Sequence, residues 1–261
     1  MSRNRTRLVA ALLLMLSTTP AGATTCHAES GDRRVALLEL YTSEGCDSCP
    51  PADRWVSGLA ERGLGHERMV TLGFHVDYWN YLGWKDPYAR AEYSARQQAA
   101  SRRNQARVVY TPQLLLDGKD YRRGTFREDI PDRVGELNRI TPTARIRLWM
   151  TAGTADMLSV EGTVAVDAPE RADVRAYLAL YENKLSSAVT SGENRGKRLR
   201  HDNVVRELAG PYAVDALGTA MLAHRFKLAP GWKPADLHIA AFVQNERTGA
   251  VLQALAGAYC R

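Results

Sequence analysis

A mostly apolar run, Val35–Ala36–Leu37–Leu38–Glu39–Leu40–Tyr41, is followed after a short turn by Cys46–Asp47–Ser48–Cys49–Pro50–Pro51. This order limits the fold more than any other feature of the chain. A run so apolar belongs in a strand buried on both faces, and Thr42–Ser43–Glu44–Gly45 reads as the turn that ends it. Two thiols at this spacing close a small-loop disulfide, and a helix beginning beside them favours a thiolate through its dipole. On that geometry Cys46 is the exposed attacking sulfur and Cys49 the more buried resolving one. Pro50 pushes Cys49 away from helical angles, so the regular helix is expected to start near Pro51. It should reach about Arg62, with Trp55, Val56 and Leu59 on one face and Gly63 and Gly65 as its stop.

Beyond it, Met69–Val76 reads as a second strand, Asp77–Tyr88 as an aromatic, turn-rich stretch and Arg90–Arg107 as a long helix. Val108–Lys119 reads as a strand that folds back at Asp117–Gly118, and a last helix is expected over roughly Arg127–Leu137. Strand, helix, strand, helix, hairpin, helix is an α/β layer order. After Thr141–Pro142 the helical pattern stops. Runs such as Ala144–Met150, Met157–Val166, Val174–Tyr181, Leu199–Leu208, Ala220–Leu228, Leu237–Gln244 and Val251–Leu255 are separated by turn residues. About seven strands at such spacing suggest an antiparallel sandwich. The predicted organisation is an α/β domain over residues 33–140 followed by an all-β sandwich over residues 141–261.

The first residues are of another kind. Arg3, Arg5 and Arg7 precede the apolar run Leu8–Leu16, and Pro20–Ala21–Gly22–Ala23 follows. A basic start, a short apolar run and a small-residue cut site read as a secretory signal peptide, residues 1–23. The run is too short for a transmembrane anchor, which needs about 20 apolar residues, so no membrane span is expected after cleavage. Its three arginines account for half of the formal charge of +6, leaving +3. That surplus argues against a nucleic-acid partner and for a periplasmic or secreted protein. In an oxidising compartment disulfides persist. Cys26 and Cys260, near the two ends of the mature chain, are then expected to pair as a structural disulfide.

Tyr110–Thr111–Pro112 adds a second half to the thiol signal, because an X-Pro at a strand start can be cis and set its backbone against a thiol pair. Together with Cys46–Cys49 after a strand, it resembles the thioredoxin fold. The stretches Glu39–Asp53, Phe74–Pro87 and Tyr110–Gln113, with Gly192–Asn194, His201–Arg206 and Phe242–Gln244, resemble more narrowly a bacterial secreted-protein family, domain of unknown function 1223. The resemblance implies a thioredoxin-like first domain in which Pro112 is a cis-proline beside Cys46 and Thr111 is part of the substrate-binding surface. Thioredoxins carry a buried carboxylate in the strand before the thiols. Counting back reaches Leu40, with Glu39 beside it as the candidate proton acceptor for Cys49, or else as an ordinary salt-bridged glutamate.

Three functions follow. The leading one is thiol–disulfide exchange on protein or small thiols, with a redox partner and no cofactor. Asp47 beside Cys46 disfavours its thiolate, which predicts a weak oxidant. His75, Tyr78, Trp79 and Trp84 are candidates for a substrate groove, or for a packed aromatic cover over a core histidine. The second is a non-enzymatic binding module. The third is copper delivery with His75 as a further ligand, although no metal site is assigned, because the cysteines are closely spaced and no methionine tract accompanies them. The basic run Gly192–His201 reads as a solvated loop, with reach to the thiols or to an anionic partner as alternatives.

Overall fold

A computed structural model describes residues 25–121, 129–153, 156–169 and 171–259. The expected signal segment lies outside them. In chain order the elements are β1 (Thr25–Glu29), β2 (Ala36–Thr42), α1 (Cys49–Ser57), β3 (Met69–His75), α2 (Ala91–Arg103), β4 (Gln113–Leu116), β5 (Lys119–Asp120) and α3 (Ile130–Asn138). There follow β6 (Ala144–Ala152), β7 (Met157–Val166), β8 (Val174–Glu182), β9 (Leu185–Ala188), β10 (Arg198–His201), β11 (Val204–Ala213), β12 (Thr219–Lys227), β13 (Leu237–Asn245) and β14 (Val251–Ala258).

β2 is buried along its whole length because both faces are covered. Ala36, Leu38 and Leu40 pack with Ala52, Trp55 and Val56 of α1 and with Ile130 and Val134 of α3. Leu37 and Tyr41 pack instead with Phe74 of β3 and with Tyr93 and Ala100 of α2. Each leucine, isoleucine, valine or phenylalanine buried in this way contributes about 1.5–3 kcal/mol. β2 runs parallel to β3, from Ala36 opposite Met69 to Thr42 opposite His75, and antiparallel to β4 on its other side.

The expected architecture, a thioredoxin-like α/β domain followed by an all-β sandwich, is overturned. One sheet of eight strands, ordered β14-β13-β8-β11-β3-β2-β4-β5, runs across the boundary expected at residue 140. Among the described residues there are fourteen strands and three α-helices, so the protein is mainly β. The joint is narrow: β11 meets the open edge of β3 at Val204 opposite Gly73, where Gly73 N–H donates to Asn203 O at 2.7 Å.

The physical reason lies in β8 and β13, which are apolar on both faces. Leu178, Leu180, Ile239, Ala241 and Val243 pack against a second, four-stranded sheet, β1-β6-β7-β12. Tyr177, Ala179, Tyr181, Ala240 and Phe242 pack on the other side with Tyr41, Phe74 and Tyr93. A free-standing sandwich sheet needs one apolar face; these strands need two covers, and the α/β half supplies the second. β6 shows the simple case, with Ala144, Ile146, Leu148 and Met150 inward and Arg145, Arg147 and Trp149 outward.

Local differences from the expected elements are few. α1 begins at Cys49, before Pro50 and Pro51, since the first turn of a helix has no use for the amide hydrogens that proline lacks. The run Val108–Pro112 is not strand, and the expected strand 199–208 breaks at Asp202–Asn203, with Asn203 at φ 59°. β1 and β9 arise in stretches without a strand pattern. Among the described residues no helix is long and apolar enough to cross a membrane.

Candidate functional site

Between β2 and α1 the chain turns through Ser43–Gly45, where a Cβ on Gly45 would stand 2.9 Å from Trp79 Cβ, so only glycine fits. Cys46 and Cys49 are joined as a disulfide with Cα atoms 5.5 Å apart, at the first turn of α1. Ser48 Oγ lies 3.4 Å from Cys46 Sγ. Asp47 and Ser48 are exposed, but Cys46 is only 1% exposed and Cys49 fully buried. The exposed attacking sulfur expected at Cys46 is therefore covered.

The cover comes from the turn between β9 and β10. Buried Asn194 donates from Nδ2 to Glu44 O at 2.8 Å and to Cys46 O at 2.9 Å. Glu193 Oε2 accepts from Asp47 N–H at 3.0 Å. Lys197 Nζ holds Asn194 Oδ1 at 2.8 Å. The segment expected as a solvated loop thus closes over the thiol turn, although Glu193, Arg195, Gly196 and Lys197 keep an exposed side.

Behind the turn lies a buried charged cluster. His201 of β10 points Nε2 at Glu44 Oε1, 2.9 Å away, and Nδ1 at Asp53 Oδ2 of α1, 3.6 Å away. Glu44 Oε2 accepts from Trp84 Nε1 at 2.8 Å. The His75 ring stands edge-on to His201, centroids 4.9 Å apart, and its Nδ1 lies 2.7 Å from Asp86 Oδ2. Asp86 also accepts from Glu44 N–H at 2.8 Å. Burial works against the His201 charge, but the contacts and charges of Asp53 and Glu44 outweigh it and push its pKa up to about 10. Burial works to raise Asp86; the charge and hydrogen bond of His75, with amides of Glu44 and Tyr88, outweigh it and hold the carboxyl below its usual range.

The structure separates the expected site residues. Trp79, Trp84 and His75 border the thiol turn: Trp79 packs on Gly45 and donates from Nε1 to Thr111 Oγ1 at 2.7 Å. Tyr78 donates to Gln97 Oε1 at 3.1 Å. These aromatics are half-buried with their polar atoms engaged, and His75 is a buried, hydrogen-bonded histidine. The Thr111–Pro112 bond is cis, just before β4, whose Gln113 pairs with Tyr41 of β2.

Glu39 is a correction. It alternates with Leu38 and Leu40, so it faces α2 rather than α1. Its Oε1 is held by Arg96 at 2.8 Å and by Tyr41 OH at 3.2 Å, an ion pair on the far side of the sheet from Cys49. Cys26, on β1, is disulfide-bonded; Cys260, its expected partner, lies outside the described residues.

Sequence reasoning missed Glu44, Asp53 and Asp86, which look like ordinary polar turn and helix residues. The available signal was Asp53 itself, one helical turn after Cys49 on the face of α1 that must be buried. Among the described residues no group of three or more His, Cys, Asp or Glu is placed to hold a metal ion.

No curated protein matches the chain. Two solved structures resemble it. Protein AGR_C_4864 from Agrobacterium tumefaciens is 24% identical, with a TM-score of 0.58 over 85% of this chain and 94% of that one. HBP35 of Porphyromonas gingivalis is 17% identical, with a TM-score of 0.66 over 88% and 76%. At these identities the likeness is one of fold. The family model described as protein of unknown function (DUF1223) matches residues 37–244, and the chain belongs to that family.

Proposed function

We propose that the chain is a thiol–disulfide exchange protein whose Cys46–Cys49 pair cycles between disulfide and dithiol. The observation that carries this reading is the placement of the disulfide across the first turn of α1, in a turn that polar side chains from remote segments hold by its backbone. A disulfide that served only as a clip would need no charged cluster beside it.

In the exchange, a client thiolate attacks Cys46 Sγ. The Cys46–Cys49 bond breaks, a mixed disulfide forms, and Cys49 leaves as a thiolate that takes up a proton. The client's second thiolate then displaces Cys46, so the client ends oxidised and the pair reduced. The amide dipoles at the start of α1 stabilise the sulfur anions. Because Cys46 is covered, the Glu193–Asn194 turn must withdraw before a client can reach it.

The test is trapping with Cys49→Ala in the full chain. There the Cys46 thiolate attacks a client disulfide, one client sulfur leaves as thiolate and no second thiol resolves the product. Mixed disulfides through Cys46 with disulfide-bonded proteins of the exported fraction should therefore accumulate. Recovery of none, with Cys46 shown to be alkylatable, sinks the proposal. The burial of both sulfurs favours a second reading, a static disulfide that fastens the turn to α1. Under it, the native pair stays closed in dithiothreitol until the fold melts.

A further inference from the structure

Resting on the exchange reading, we propose that Asp53 and His201 form the proton path between Cys49 and solvent, Asp53 serving Cys49 directly and His201 acting as the positioning residue behind it. Asp53 lies one helical turn beyond Cys49 in α1, and both are buried. Side chains so spaced are neighbours, and the later one leans back toward the helix start, over the earlier. Asp53 is therefore the ionisable group that α1 itself sets beside the resolving sulfur.

His201 continues the path. Its Nδ1 is buried, faces Asp53 Oδ2 at 3.6 Å and has no hydrogen-bond partner. Its Nε2 is fixed by Glu44, which aims Nδ1 at α1. His201 also belongs to the lining of an open cavity of about 370 Å³, with Lys184, Ser186, Arg200 and Asp202, so the outer end of the path lies at a recess of the β9–β10 hairpin. The other groups packed around the ring are His75, paired with Asp86, and Tyr88, whose ring centroid is 5.7 Å away beneath the Arg206 guanidinium.

When a client thiolate opens the disulfide, the bonding pair remains on Cys49 Sγ. The proton that neutralises it comes from His201 Nδ1 by way of Asp53, and solvent in the recess returns a proton to His201. When the disulfide re-forms, the proton leaves Cys49 along the same route. A buried thiolate without such a donor would be a poor leaving group. The arrangement gives the β9–β10 hairpin a chemical part in a reaction whose sulfurs lie in the other half of the chain.

The experiment is reduction of the full-length disulfide by dithiothreitol over a range of pH, with each rate divided by the concentration of reductant thiolate. In the native chain this corrected constant should fall as the path loses its proton at alkaline pH. Asp53→Asn should flatten the profile and lower its acid plateau by about 10–100-fold, Asp53→Glu should restore part of it, and His201→Gln should abolish the alkaline fall. A native profile without the fall overturns the path whatever the variants do. A profile unchanged in Asp53→Asn, with melting temperature preserved, also overturns it while leaving exchange intact. A native disulfide that dithiothreitol never opens overturns both exchange and path.

Discussion

Asn194 shows how much one residue can decide. Wholly buried, it satisfies two carbonyls of the thiol turn from a segment far along the chain. Two hydrogen bonds of about 1 kcal/mol each set the scale for withdrawing the turn. Asn194→Ala is therefore expected to speed dithiothreitol opening of Cys46–Cys49 roughly tenfold or more, read by alkylation and mass spectrometry; a change under twofold would show that this contact does not gate the sulfurs. His201 gives a pH test. Its pKa rises from 6.5 to about 10 on folding, so its proton stabilises the native state fully below about pH 6.5, and that stability is lost as pH rises toward 10. Urea midpoints should accordingly decline across that window in the native chain and decline less in His201→Gln; parallel curves would refute the assignment. Arg96 makes the third case. It pairs with Glu39, donates to Gln244 Oε1 at 3.0 Å and lies over the rings of Phe74, Tyr177 and Phe242. Arg96→Met leaves the Glu39 carboxylate buried without a counter-charge, held by the Tyr41 hydroxyl, and should cost about 3–5 kcal/mol in denaturant unfolding.

Elements were legible where their own periodicity and punctuation specify them. The burial of β2 follows from its unbroken apolar run and the outward arginines of β6 from strict alternation, whereas α1 ends at Ser57 with Gly58 as its cap, short of the expected end near Arg62. The turn at Asp117–Gly118 was readable too, and both residues take positive φ, 48° and 74°. What surrounds that turn was not. A Cβ on Gly118 would stand 1.9 Å from Gly249 O, in the turn between β13 and β14. Gly118→Ala is therefore expected to destabilise the chain by at least about 1–3 kcal/mol, seen as a lower urea midpoint; an unchanged midpoint would mean that the two turns separate easily. The expected helix start near Pro51 failed for a local reason, because proline is restrictive inside a helix and permissive in its first turn. β9 and the break before β11 were illegible, since Leu185–Ala188 has no apolar alternation and the break rests on a single left-handed Asn203.

For the whole molecule, the shared eight-stranded sheet makes the two halves one folding unit. Residues 25–140 expressed alone would leave the edge of β3 without β11 and Arg96 without Gln244, Tyr177 and Phe242. That fragment should be insoluble or unfolded, and the intact chain should melt in one transition; a folded fragment with native-like near-ultraviolet dichroism would contradict this. The charged cluster belongs to the same scale. Glu44, Asp53 and His201 come from a turn, a helix and a remote hairpin, and no short-range pattern announces their meeting. The sequence by itself determined the strand, the paired thiols and the helix that follows, together with which faces of most strands are apolar, because these depend on neighbours along the chain. Only the tertiary structure decided that β3 pairs with β11, that Glu39 serves Arg96 instead of Cys49, and that Asn194 closes over the sulfurs. Apolar patterning says that a face must be covered, whereas the identity of the cover depends on packing among segments whose separation along the chain leaves no periodic trace.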